Sequence, residues 1–334
     1  MLALVVVFTA VSPSMQAQAA YVGSSYISSA GACVMDYETG EVLYELGGYT
    51  PRVPASMTKI MTLYCVYEAL ENGEIALNTR VPISNNVYYK SRNKLYQNMI
   101  ALNPDTFYTV DEIMGIVITY SASAATVALA ELVGGGSEAA FVNRMNATAQ
   151  RMGVNARFYD SCGVADNQVT PVSMATIARN TIMRFPDIIT RASKKSVAFK
   201  GATYKTTNHL LDTYYYPGAD GLKTGTGTAA GACFCGTASR DGMRVITVTM
   251  GSSSAGQRFT DTIRLLDYGF AVLGDRKNSV RYTNMRTFVG GLEMPTFCYT
   301  GDATHAVIIA EDLANYGFDV TYDDALRKIS IKEN

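Results

Sequence analysis

Strand patterns stand near both ends of residues 31–250 and helical patterns fill the middle, so any sheet in this chain must be completed by segments far apart in sequence. Residues 31–36 and 41–46 flank the turn Glu38-Thr39-Gly40 and read as a hairpin with mixed apolar and polar faces. Segments 232–238 and 243–250 are joined through Arg240-Asp241-Gly242, a strong short-range hairpin signal. Between these hairpins the period changes. From Ser56, the residues Ile60, Met61, Leu63, Tyr64, Tyr67 and Leu70 recur at helical spacing until Asn72-Gly73. Thr109-Val-Asp-Glu112 is a capping box that opens a helix to about Thr119. Residues 137–152 carry Phe141, Met145, Ala149 and Met152 on one face ahead of Gly153, and Thr170-Pro171 opens a helix that ends before Pro186. A last helix is predicted over 257–270. This order predicts an α+β fold, an α/β sandwich in which an antiparallel sheet carries helices and a helical subdomain is inserted, with the site in the cleft between them.

A chain of 334 residues, 48% of them hydrophobic, can build a large core and a smaller module as well. Its formal net charge is -1 and 17% of its residues are charged, which leaves no basic stripe for nucleic acid and no cationic face for an anionic bilayer. Residues 2–11 form an apolar run of signal-sequence length, followed by the small-residue site Ala17-Gln18-Ala19, so 1–19 is predicted to be a cleavable secretory signal despite the missing positive n-region. Past Gly274 the texture changes, and a domain boundary is expected near residue 280, between a domain over 25–275 and a small module over 290–334. Cys65 falls in a helix pattern and Cys33, Cys233 and Cys235 in strand patterns. At this length the core needs no staples, so these read as buried free thiols. Cys233-Phe234-Cys235 has no second pair, and His209 and His305 are far apart, so neither a metal nor another cofactor is expected.

Three short motifs carry the chemistry. Ser56-Met-Thr-Lys59 puts a serine and a lysine on one face of a first helical turn, the spacing a nucleophile and its base need. A lysine serves as that base only if burial or neighbouring positive charge keeps it neutral. Alone, S-x-x-K more often marks an ordinary helix start with a solvated lysine. Tyr120-Ser121-Ala122-Ser123 follows the capped helix, and small residues there usually mean close packing. Lys223-Thr224-Gly225-Thr226 enters a predicted strand. Its lysine and threonine suit a substrate carboxylate, and its glycine suits close approach of substrate backbone.

In this order, S-x-x-K, S-x-S and K-T-G resemble the active-site motifs of penicillin-binding proteins and serine β-lactamases. Pro54-Ala-Ser-Met-Thr-Lys-Ile-Met-Thr62, Val127-Ala-Leu-Ala-Glu131, Asp220-Gly-Leu-Lys-Thr-Gly225 and Gly236-Thr-Ala-Ser-Arg-Asp-Gly-Met-Arg244 resemble, more narrowly, blocks of the low-molecular-mass D-alanyl-D-alanine carboxypeptidases. The resemblance covers roughly residues 25–275 and implies a β-lactamase/transpeptidase-like fold. It also implies roles: Ser56 attacks the carbonyl of the penultimate D-alanine, Lys59 takes its proton, and Ser121 relays a proton to the leaving D-alanine. The backbone N–H groups of Ser56 and Thr226 form the oxyanion hole, Lys223 and Thr224 hold the terminal carboxylate, and Gly225 and Ser123 complete the substrate site. The implied partners are peptidoglycan stem peptides ending in D-Ala-D-Ala and β-lactam antibiotics, met outside the cytoplasm at the cell wall. Ser123 departs from the asparagine usual at that position and makes fewer hydrogen bonds, which leaves open a catalytically weak peptidoglycan-binding scaffold. A serine β-lactamase is disfavoured because residues 153–190 hold no Glu-x-x-Leu-Asn block. Separately, Ala310-Glu-Asp-Leu-Ala-Asn-Tyr-Gly-Phe-Asp-Val320 resembles the small stalk-like N-terminal repeat of copper amine oxidases, which implies an accessory α+β module without copper.

Overall fold

The computed structural model describes residues 27–278 and, beyond them, short strands within 280–333. The predicted signal over 1–19 lies outside the described residues. Five strands, β1 (Gly31–Asp36), β2 (Val42–Leu46), β3 (Ala219–Gly227), β4 (Gly231–Arg240) and β5 (Met243–Ser252), form one antiparallel sheet in the order β2-β1-β5-β4-β3. The early hairpin thus joins the late one through Cys33↔Val248 and its neighbours on β1 and β5, the long-range closure that the strand distribution demanded.

Between β2 and β3 run α1 (Lys59–Glu71), α2 (Asn85–Lys90), α3 (Val110–Thr119), α4 (Ser123–Val133), α5 (Glu138–Arg151), α6 (Pro171–Arg184) and α7 (Asp187–Ala192), and α8 (Gln257–Asn278) follows the sheet. The local signals decide their ends. Thr109 Oγ1 accepts from the Glu112 N–H at 3.2 Å and Glu112 Oε2 accepts from the Thr109 N–H at 2.9 Å, closing the capping box of α3. Ser137 caps α5, and Thr170 with Pro171 opens α6. The helix predicted to begin at Ser56 starts instead as a 3-10 turn over Ala55–Thr58, with α1 proper beginning at Lys59. α8 outruns its predicted end because no breaker stronger than Gly274 follows Phe270.

The sheet is buried on both faces. Cys33 and Met35 belong to the core shared with α1 and α6. On the other side α8 brings Phe259 to 5.2 Å from Phe234 and Tyr268 to 5.8 Å from Tyr44 between ring centroids. Every residue of α1 from Lys59 to Ala69 is buried, so this helix is the centre of the inserted helical layer rather than an amphipathic cover. The α+β sandwich expected from the sequence is therefore the fold observed. Cys33, Cys65, Cys162, Cys233 and Cys235 are buried and unbridged.

By compactness the chain divides into Val22–Phe270 and a unit that takes in Ala271–Asn334. In the latter, Val280–Tyr282 pairs with Phe297–Tyr299, Thr287–Val289 with Leu292–Met294, and Phe318–Asp323 with Lys328–Glu333, all antiparallel. Most of the block beginning at Ala310 lies outside the described residues. Among the described residues no single helix is long and apolar enough to cross a membrane.

Candidate active site

Ser56 stands in the 3-10 turn that feeds α1, partly exposed on the floor of a cleft of about 250 Å³. Lys59, three residues on, is fully buried. Its Nζ donates to Ser56 Oγ at 2.7 Å, to the Cys162 carbonyl at 2.7 Å and to Ser123 Oγ at 3.2 Å. Burial holds the Lys59 ammonium down to about 8 against the pull of the nearby Cys162 and Asp160 groups. At that value roughly a tenth of the molecules carry a neutral amine at pH 7. Just before Ser56, Ala55 has φ 47, a left-handed conformation that a residue with a side chain adopts only where its surroundings impose it.

One wall of the cleft is β3. Its ladder to β4 pairs Lys223↔Cys235, Thr224↔Phe234, Gly225↔Cys233 and Thr226↔Ala232. Lys223 is buried and donates to the Thr224 carbonyl at 3.1 Å. Burial, then the charges of Lys59 and Arg258, holds its ammonium well below the usual lysine range. The Thr224 and Thr207 hydroxyls lie 2.7 Å apart. A Cβ on Gly225 would stand 2.4 Å from the Pro54 carbonyl oxygen and 3.3 Å from Ser56 N. The glycine thus lets β3 press against the protein's own turn at Ser56, a use that the expected approach of substrate backbone did not include. Thr226 is exposed in the cleft, and Arg258 Nη1 donates at 2.9 Å to both its Oγ1 and the Gly225 carbonyl.

The third motif joins α3 to α4. Ser121 is buried at φ 73, and the turn it makes puts Ser123 at the start of α4. The hydroxyl of this motif that Lys59 reaches is that of Ser123. Facing β3, the loop over 158–167 supplies Gly163, Val164 and Asp166 to the lining. Ser56 and Thr226 therefore stand accessible in the cleft, Ser123 lines it although buried, and Lys59, Ser121, Lys223, Thr224 and Gly225 are buried.

Two parts of the site escaped the sequence reading. Arg258 sits in the first turn of a helix whose position was expected but whose approach to β3 was not; its one sequence signal is a cation next to an aromatic at a helix start. The Cys162 carbonyl is backbone, which no residue type announces. Among the described residues, no three His, Cys, Asp or Glu side chains converge to hold a metal.

Residues 15–254 match the family model described as D-alanyl-D-alanine carboxypeptidase. The chain is 30% identical over 248 residues to the D-alanyl-D-alanine carboxypeptidase DacF of Bacillus subtilis, covering 72% of this chain and 61% of that protein. It is 32% identical over 264 residues to a D-alanyl-D-alanine carboxypeptidase of a Streptomyces species, covering 74% of this chain and 88% of that one. Among solved structures, a peptidoglycan synthesis regulatory factor from Streptococcus pneumoniae superposes with a TM-score of 0.71 at 31% identity, covering 82% of this chain and 81% of that one. Penicillin-binding protein D2 from Listeria monocytogenes, in its ampicillin-bound form, gives 0.64 at 30% identity, covering 73% and 98%. The chain spans 61% and 60% of the lengths of DacF and of DacC from Escherichia coli.

Proposed function

The chain belongs to the D-alanyl-D-alanine carboxypeptidase family, and from that premise we propose that it removes the terminal D-alanine from peptidoglycan stem peptides through an acyl-enzyme on Ser56. The observation that carries this reading is the buried Lys59 Nζ, held near 8 and lying 2.7 Å from a hydroxyl exposed in the cleft. Neutral Lys59 takes the Ser56 proton as Oγ attacks the penultimate carbonyl. The backbone N–H groups of Ser56 and Thr226 receive the oxyanion, a contribution of several kcal/mol in comparable sites. The proton returns to the leaving amine of D-alanine by way of Lys59 and the Ser121–Ser123 hydroxyls. Water then enters, and the ester on Ser56 is hydrolysed. The terminal carboxylate is drawn by the positive end of the cleft, where Thr224 and Thr226 offer hydroxyls and Lys223 and Arg258 supply charge.

A β-lactam enters the same path and stops at the acyl-enzyme. Because stem peptides lie outside the cytoplasm, the protein acts there, with 1–19 as its export signal, 25–275 as the peptidase and 290–334 as an accessory module. Fluorescent penicillin should label the native protein, and Lys59→Arg should abolish labelling as Ser56→Ala does, because a guanidinium does not deprotonate. Full labelling of folded Lys59→Arg would overturn the assignment. Mass spectrometry of a stem pentapeptide should detect loss of one alanine.

A further inference from the structure

The loop over 158–167 is arranged around one carboxylate. Asp160 Oδ1 accepts from the Gly163 N–H at 2.8 Å and from Asn167 Nδ2 at 2.8 Å, and Oδ2 accepts from the N–H groups of Val164 at 2.7 Å and Ala165 at 2.9 Å. The Gly163 N–H belongs to the same peptide unit as the Cys162 carbonyl, and in a trans peptide the two point in opposite directions. That carbonyl accepts from Lys59 Nζ at 2.7 Å. The Cys162–Gly163 peptide is therefore clamped at one edge by the Asp160 carboxylate and at the other by the catalytic amine. The carboxylate also polarises the peptide, so its carbonyl becomes a stronger acceptor for an ammonium than an unclamped one.

We propose that Asp160 is a positioning residue for acyl transfer, which orients and polarises the Cys162–Gly163 peptide and through it sets the proton affinity and aim of Lys59. This rests on the reading of Lys59 as the base. The groups that face Lys59 are the hydroxyls of Ser56 and Ser123, Cys162 and Asp160 on the loop, and Lys223 on β3. Cys162 is faced in turn by Glu138 on α5, whose Oε1 accepts from the Ser161 N–H and hydroxyl. Asp160 is the carboxylate of this set that is joined to Lys59 by a single peptide. Its negative charge favours the ammonium form, and because acylation needs the free amine, that charge holds the acid limb of the rate profile up.

The test is the pH dependence of penicillin acylation of the full chain, measured for native protein, Asp160→Asn and Asp160→Glu. Asparagine can still accept from the Gly163 N–H but carries no charge, so its acid limb should move to lower pH by roughly half a unit or more. Glutamate keeps the charge and misplaces it, so its limb should stay within about 0.3 unit of native while the plateau rate falls several-fold. The position of a limb does not depend on the fraction of protein that is folded, so partial unfolding of either variant leaves the reading intact. An unmoved limb in Asp160→Asn, or an equal shift in both variants, overturns the proposal. If Lys59→Arg is acylated like native protein, the assignment of the base fails first and the role of Asp160 falls with it.

Discussion

Along β3, the cleft wall is held by a backbone ladder running from Ala219↔Ala238 to Gly227↔Gly231, whereas the opposite wall, the loop over 158–167, is held mainly by side chains. There the Phe158 N–H goes to Asn146, those of Tyr159 and Asp160 to Asn167, that of Ser161 to Glu138, and those of Gly163, Val164 and Ala165 to Asp160. A ladder satisfies its amides whatever side chains it carries, so β3 is free to spend its residues on chemistry. The loop cannot do so, because its Asp160 and Asn167 side chains are already committed to pairing its backbone amides. The strand should therefore tolerate change in its side chains, while the loop should fail when a single carboxylate or amide is lost.

Both walls meet the turn at Ser56 at a glycine, which makes a pair of alanine substitutions the strongest test of this contrast. A Cβ on Gly163 would fall 2.0 Å from the Ala55 carbonyl oxygen, at a backbone φ of 83. Gly163→Ala should therefore lose about 3 kcal/mol or more from strain and clash together. Gly225→Ala meets the Pro54 carbonyl oxygen at 2.4 Å without positive φ and should lose about 1–3 kcal/mol. Both should acylate at least about tenfold more slowly as Ser56 shifts. Thermal unfolding and penicillin labelling measure the two effects, and a reversed order of stability would mean that the ladder is the more fragile wall.

A smaller effect is expected at Asn167, whose Oδ1 accepts from the N–H groups of Tyr159 and Asp160 and whose Nδ2 donates to Thr58 Oγ1 at 3.0 Å. Asn167→Ala leaves buried amides unpaired, for a loss of about 1–3 kcal/mol in the denaturant midpoint. Stability within about 0.5 kcal/mol of native would break the contrast between the walls. The smallest effect concerns Ser123, which belongs to neither wall and accepts from Lys59 Nζ at 3.2 Å. Asparagine reaches further and both donates and accepts, so Ser123→Asn should speed acylation by an amount worth about 1 kcal/mol. Slower acylation in a folded variant would mean that the cleft is shaped around the shorter hydroxyl.

The contrast also explains what could be read in advance. The capping box at Thr109, the Thr170-Pro171 helix start and the Arg240-Asp241-Gly242 hairpin are local, since partners lie within a few residues and residue type alone decides the geometry. The S-x-x-K pair is local in the same way, being one helical turn. The arrangement of the loop held by Asp160 is not announced by its residue types, because it lies in which amides a carboxylate accepts from. Arg258 and Gly225 meet across 33 residues of sequence, and their contact depends on α8 packing beside the edge strand β3.

Sequence by itself determined which segments become strands and helices and which residues can act as nucleophile, base and cation, because those properties belong to side chains and short-range hydrogen bonds. Only the tertiary structure decided that Lys59 is deprived of water and that its third partner is a backbone carbonyl. It also decided that Ser123 rather than Ser121 is the hydroxyl Lys59 reaches. Proton affinity and aim depend on burial and on what stands within about 3 Å, and these exist only once distant segments have packed together.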